Sequence, residues 1–352
     1  MCFLKTRNEI ISGIKIAFTY IGTVIGAGFA SGQEILRFFS VYGAYSIYPI
    51  LIATFLFILI GTKILKLGQK LNSRSFKETV KQIFGILSPF VSGYIVLAMI
   101  LIGTAMLAGA GALFNEYAGI PFWVGAGLTA VAALIVVMSG IKGIMAINTW
   151  IIPLILAFNL FVFGYTLQER GFMQRFTSTY NISLLDLIKS GVLYAAFNII
   201  LSIGVLSSAA SQVKQPRALA VGGILGGAIL GIMIFINDYS LRHHGPAIYD
   251  FEVPMLYIVY CMGPVISGLY TVVVWGAIFT TLIANLFSVS SVIHEVFKIP
   301  IGLSSLMITC LCFVISFIGF SQIVTYIYPL LGIFGLALIV ILLASTFKRT
   351  EL

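Results

Sequence analysis

Polar and apolar positions along this chain alternate on a long scale: apolar runs of about twenty residues recur, divided by short polar stretches. A helix needs roughly 20 apolar residues to cross a bilayer, whereas barrel strands would alternate residue by residue with polar lumen positions. The pattern therefore predicts an all-α polytopic membrane protein. Its ten transmembrane helices are expected at 13–38, 44–67, 89–114, 121–139, 141–167, 186–211, 217–241, 263–291, 300–318 and 322–346. The stretch 242–262 starts polar and ends in Pro254-Met-Leu-Tyr-Ile-Val-Tyr260, which is too short to span and reads as a helix at the interface. A polar connection, 168–185, divides the chain into an N-terminal half, 1–167, and a C-terminal half, 168–352, within one integral membrane domain. Five spans in each half is an odd number, so the halves would enter the membrane with opposite orientations, the condition for a 5+5 inverted repeat.

The first and sixth spans both carry polar groups and glycine at membrane depth. The first contains Gly22-Thr-Val-Ile-Gly-Ala-Gly-Phe-Ala-Ser-Gly-Gln-Glu34, with four glycines in eleven residues. In lipid every backbone group must be satisfied internally, so such a segment is expected to break, and its freed N–H and C=O groups then line a cavity. Glycines at this spacing also serve close helix packing, the competing explanation. The sixth reads Ser190-Gly-Val-Leu-Tyr-Ala-Ala-Phe-Asn-Ile-Ile-Leu-Ser-Ile-Gly204. Broken helices 1 and 6, each the first of its half, would point to a site between the halves.

Composition narrows the class without changing it. The chain of 352 residues is 60% hydrophobic and 9% charged, far below the charged quarter of a soluble globule. The net charge of +9 gives no reason to expect nucleic acid, because the basic residues lie in short loops between spans. Counted by alternating sides, fifteen Lys and Arg share the side of the N-terminus and five lie opposite, which puts both termini in the cytoplasm of a cell-membrane protein. Lys5 and Arg7 ahead of an apolar stretch resemble a signal peptide, but Lys15 and the glycine run interrupt its core, so the first span is expected to be retained. Cys2, Cys261, Cys310 and Cys312 show no metal spacing, and His243 and His244 are expected in a solvated loop. No cofactor is predicted, and no obligate protein partner beyond the lipid bilayer itself.

The string Gly22-Thr-Val-Ile-Gly-Ala-Gly-Phe29 resembles the first-helix glycine motif of the amino acid-polyamine-organocation superfamily and its related sodium symporters. With Phe-Ala-Ser-Gly-Gln-Glu34 added, it resembles the bacterial YkvI-like membrane proteins. Trp275-Gly-Ala277-Ile-Phe-Thr280-Thr281 in the eighth span is similar to those symporters too, and residues 277, 280 and 281 share a helix face. What the resemblance implies is secondary transport with sodium as coupling ion. The backbone carbonyls of Gly22, Ile25 and Ala277 and the hydroxyls of Thr280 and Thr281 would be its ligands. Phe29 replaces the asparagine that holds a second sodium in some relatives, so one sodium at most is expected. Proton-coupled relatives carry a lysine within the fifth span; here the basic residue is Lys142, at its start.

A small-molecule solute, an amino acid or related amine, would place its carboxylate on the N–H groups of Gly26, Ala27 and Gly28, with the second half of the first span behind them. Tyr194, Phe197 and Asn198 are the expected lining from the sixth span. Glu34, with Arg37 at i+3, reads foremost as an interfacial ion pair and alternatively as a gate or proton site; Asp238 invites the same two readings. The rival classes are a proton-coupled transporter, a non-transporting receptor or structural protein, and, more remotely, a membrane enzyme.

Overall fold

The computed structural model describes residues 2–71, 76–138, 141–170 and 182–350. Every described element is helical. In chain order they are α1 (Cys2–Val24), α2 (Ala27–Ala30), α3 (Gln33–Phe38), α4 (Ile47–Leu71), α5 (Phe76–Phe84), α6 (Ser88–Ala118), α7 (Phe122–Met138) and α8 (Ile141–Arg170). After 171–181, which lie outside the described residues, come α9 (Leu184–Ser211), α10 (Pro216–His243), α11 (Pro254–Cys261), α12 (Pro264–Phe297), α13 (Ile301–Ser316), α14 (Phe320–Gln322) and α15 (Tyr328–Thr350). Each apolar segment read from the sequence coincides with helix. Among the described residues, six stretches are long and apolar enough to cross a membrane: Ser40–Leu71, Glu78–Ala118, Leu184–Ser211, Pro216–His243, Pro264–Phe297 and Phe320–Leu343. Large apolar side chains such as Phe55, Trp123, Leu128 and Val314 stay exposed on the helix exteriors, where a soluble protein would carry charge.

Two groups of helices make the body. In one, α9 packs along α4, and α10 packs along both α1 and α4. In the other, α12 packs against α6 and α13, and α6 against α7. The first group is held at backbone distance by the α10 glycines: a Cβ on Gly223 would meet the Thr62 backbone at 2.7 Å, and one on Gly227 the Ile58 amide nitrogen at 2.7 Å. Burial of small residues is how helices associate in lipid, where apolar side chains gain little by leaving their surroundings. These glycines are used inside the chain.

The first span is broken. Ile25 N–H to Ile21 C=O, 2.8 Å, ends its first half, and Ala30 N–H to Gly26 C=O, 2.9 Å, is the first bond beyond the break. Gly26 is extended (φ −114°, ψ −166°), and Gly32 turns left-handed (φ 82°), dividing the outer half again into α2 and α3. The helical dipole expected behind Gly26–Gly28 is thus split between a four-residue and a six-residue piece. The sixth span contradicts its expectation: α9 runs unbroken from Leu184 to Ser211. Its glycines, Gly191 and Gly204, are more than three turns apart. Its polar side chains bond within the helix, Asn198 Nδ2 to Tyr194 C=O at 3.0 Å and Ser202 Oγ to Asn198 C=O at 2.7 Å, so no backbone is freed.

Three further expectations are corrected. His243 and His244 are buried at the end of α10 and not in a solvated loop; their Nδ1 atoms lie 2.7 and 2.8 Å from the carbonyl oxygens of Tyr239 and Ser240. Asp238 is fully buried rather than interfacial. It pairs with Arg242 Nε at 2.8 Å and accepts from the hydroxyls of Ser40 and Ser46 at 2.9 and 2.7 Å, fastening α10 to the turn before α4. Between α4 and α6, where a basic loop was expected, α5 forms, since Val80, Ile83 and Phe84 lie on one face and are buried.

Candidate functional site

The break, α9 and α12 meet at a cavity of about 340 Å³. Its floor is the segment Gly22–Gly28. Because the helical ladder stops at Ile25 and resumes at Ala30, the carbonyls of Gly22–Ile25 and the N–H groups of Gly26–Phe29 have no helical partner. One wall is α12, presenting Ala277, Thr280, Thr281, Asn285 and Ser288. A second is α9, with Phe197, Asn198, Leu201 and Val205. Met99, Ile102 and Met106 of α6, together with Tyr328, complete an apolar side.

All five residues predicted to surround sodium line this one cavity, although Gly22 and Thr281 are some 260 positions apart. A methyl group placed on Gly26 would lie 3.7 Å from Thr281 Oγ1, so the break faces the hydroxyl-bearing side of α12. The hydroxyls of Thr280 and Thr281 both donate to the Ala277 carbonyl, at 3.1 and 2.9 Å. That is the ordinary use of threonine in a buried helix. It turns the hydroxyl lone pairs outward, and any ion would have to share the Ala277 carbonyl with both donors.

Of the predicted solute-lining residues, Gly26, Ala27, Gly28, Phe197 and Asn198 face the cavity. Tyr194 does not: it is fully buried behind Glu34, packed among Phe38, Phe39 and Phe57. Tyr328, Asn285 and the α6 methionines were not foreseen. Asn285 was legible, since it follows Thr281 by four positions and so continues that helix face. Tyr328 was not, because it opens α15 directly after a π-helical turn, Ile323–Ile327, that leaves no pattern in the sequence.

Glu34 is not the interfacial member of an ion pair. It is 5% exposed and lines the cavity. Arg37 turns away and donates from Nη2 to Ser321 Oγ at 2.6 Å. Glu34 reaches inward because Gly28 leaves room: a Cβ there would stand 2.0 Å from Glu34 Oε1.

At one end the lining reaches the exposed surface, where Val205 is half exposed. It extends to Val205 and Ser288, the side where Gly13 of α1 packs on Ala218 and Val221 of α10. At the other end α2 and α3 are fastened down: Tyr270 Oη donates to Ala30 C=O, Met255 N–H to Ser31 C=O at 3.0 Å, and Ser190 Oγ to Phe38 C=O. Beyond these bonds, the carboxylate of Glu116 on α6 accepts the Val253 N–H at 3.1 Å, tying the start of α11 to the second group of helices.

No protein-family model matches the chain. Over 341 residues, 96% of this chain and 97% of the relative, it is 29% identical to the membrane protein YkvI of Bacillus subtilis (strain 168). It is also 27% identical to YyaD of the same organism over 94% and 96% of the two chains. Among solved structures it superposes on MhsT in complex with L-phenylalanine with a TM-score of 0.63 at 15% identity, covering 86% of this chain and 78% of MhsT. The inward-facing conformation of Mhp1, a nucleobase-cation-symport-1 family transporter, matches at 0.63 and 13% identity over 93% and 74%. A manganese transporter of Eremococcus coleocola matches at 0.56 and 13% identity over 95% and 77%. The chain has the fold of these transporters. Its likeness to YkvI extends over both chains almost end to end, well beyond the glycine string from which the resemblance was read.

Proposed function

We propose that this chain is a secondary active transporter that couples sodium entry to uptake of a small organic solute, an amino acid or a related amine, by alternating access. The observation that carries the reading is the apposition of the broken first span and the Thr280–Thr281 face of α12 across one cavity. A small hard cation needs several oxygens, and a broken helix supplies carbonyls that an intact helix consumes. The unbonded N–H groups of Gly26–Gly28 then suit a carboxylate, with Asn198 beside it.

Ten spans in an inverted repeat belong to the same reading, and the packing supports them. Exchanging each span for the one five places on turns the α1–α10 contact into α9–α4, and the α6–α7 contact into α12–α13; all four are among the major contacts. Helix α9 is the partner of the broken span in that exchange yet keeps its ladder, so the symmetry is one of position and not of backbone. The excess of Lys and Arg on the side of the N-terminus supports a cytoplasmic position for the Val205–Ser288 end of the cavity. Transport then requires the outer bonds of Ala30, Ser31 and Phe38 to release and the inner end to close, a two-state change biased by whichever ligands are bound.

The test is sodium-dependent thermal stability of the purified chain, with potassium as control, for the natural protein and for Thr280→Ala combined with Thr281→Ala. Stabilisation by sodium that the double change removes supports the ion site, because a ligand of the folded state raises stability by mass action. Equal behaviour in sodium and potassium ends the sodium assignment and leaves proton coupling, read as flux that follows pH.

A further inference from the structure

The cavity holds a carboxylate that neither the ion site nor the carboxylate cradle uses. Glu34 is 95% buried by exposure of 5%, it faces the cavity, and its Oε2 has no hydrogen-bond partner. Arg37, on the same short helix, is committed to Ser321. The groups that do face the Glu34 carboxyl are the phenols of Tyr194 and Tyr328. The Tyr194 phenol is within reach of the Glu34 carboxyl as a hydrogen-bond donor, but it carries no charge to balance it. A buried carboxylate with no cation beside it is unfavourable unless something neutralises it.

Three cations fit a cavity open to water: a proton, a sodium ion and an organic ammonium. The surroundings discriminate between the last two. Sodium takes a shell of hard oxygens, which the carbonyls of Gly22–Ile25 and the α12 hydroxyls offer at another part of the cavity. Around Glu34 the walls are aromatic instead: Phe197 and Tyr328 line the cavity with ring centroids 4.7 Å apart, and Tyr194 stands behind. Aromatic faces together with a carboxylate are the usual lodging of an ammonium group, whose N–H donors can also satisfy the unpaired carboxyl oxygen. Distance completes the case. The Glu34 carboxyl lies over Gly28, one of the residues whose N–H groups are free, so both ends of a short zwitterion fall within the same few residues of backbone.

We propose that Glu34 anchors the ammonium group of the solute, so that amino acids and amines are substrates and the corresponding deaminated acids are not. This rests on the transporter reading above and adds the residue that selects for an amine in its cargo. Gly28 is part of the device, because any side chain there would occupy the volume of the carboxyl.

The experiment is a thermal-shift panel on the purified full chain in sodium, using the common L-amino acids, the amines left by their decarboxylation and the acids left by their deamination. At least one amine-bearing compound is expected to stabilise the natural chain, with its deaminated counterpart at least about tenfold weaker. Glu34→Gln is expected to weaken that compound at least about tenfold while keeping the response to sodium, and Glu34→Asp to recover part of it. Equal binding of amino acid and deaminated acid overturns the inference and leaves Glu34 as a proton carrier, with the transporter reading intact. Unchanged amino acid affinity in Glu34→Gln overturns it in the same way. Should that variant fail to fold, the comparison of amino acid with deaminated acid on the natural chain decides alone. A panel in which no compound binds removes the amino acid reading itself and this inference with it.

Discussion

The first span and α9, each the first of its half, both carry polar residues and glycine at membrane depth, and they solve the problem in opposite ways. In the first, four glycines within three turns allow the backbone to leave the helix at Gly26 and again at Gly32, so the site there is made of peptide groups. In α9 the ladder stays whole, and Asn198 and Ser202 spend hydrogen bonds on their own helix. What α9 offers is side chains, Phe197 and Asn198, on a rigid wall. Glycine density alone does not decide whether a span opens, since α10 keeps its ladder with five glycines between positions 222 and 231; what sets the first span apart is the left-handed turn at Gly32, which a residue without Cβ adopts at little cost.

This contrast can be broken by substitution at matched glycines. The largest effect is expected from Gly191→Ala in α9, whose Cβ would meet the Pro49 carbonyl oxygen at 2.5 Å. Backbone cannot give way there, so a loss of about 3 kcal/mol is expected in a denaturant titration, with ligand responses retained in whatever folds. Gly28→Ala in the first span comes next. The neighbour is the end of a flexible Glu34 side chain, which can be pushed aside, so stability should fall by only about 1 to 2 kcal/mol while solute binding is lost. A Gly28→Ala protein that binds as the natural chain does would separate Glu34 from the site.

Smaller effects sharpen the difference between backbone and side-chain ligands. Thr280→Ala with Thr281→Ala should abolish sodium-dependent stabilisation and cost the sodium-free protein less than about 1 kcal/mol, since both hydroxyls bond only to Ala277 of their own helix. Asn198→Ala should be the mildest, removing one bond within α9 and weakening solute about tenfold, measured by titration of the thermal shift. A loss of several kcal/mol at Asn198 would mean that the amide holds the helix together and α9 is closer to breaking than its ladder suggests.

Much of the architecture was legible because lipid imposes a simple rule: a span must be long, apolar and internally bonded. Hence the segments, the short helix α11 and the break at Gly26 all follow from reading the chain in order. The site was legible in part, for a different reason. Gly22, Ile25, Ala277, Thr280 and Thr281 came from resemblance of two short strings, and nothing in either string says that they share a cavity. Glu34 was misread because Arg37 stands at i+3, the spacing of an ion pair on a regular helix. Where the segment has been turned by Gly32, Arg37 finds Ser321, a partner 284 residues away.

The sequence by itself determined the class of molecule, the placing of its helices and the weak point in the first of them, since these depend on local composition and on the solvent around each segment. Tertiary structure alone decided that α9 stays whole, that the α10 glycines face inward, that Tyr194 backs the site while Tyr328 lines it, and that a carboxylate stands without a counter-ion beside Gly28. Those outcomes depend on which surfaces pack together across the two halves of the chain, and a contact between distant residues has no period or spacing by which it can be read in advance.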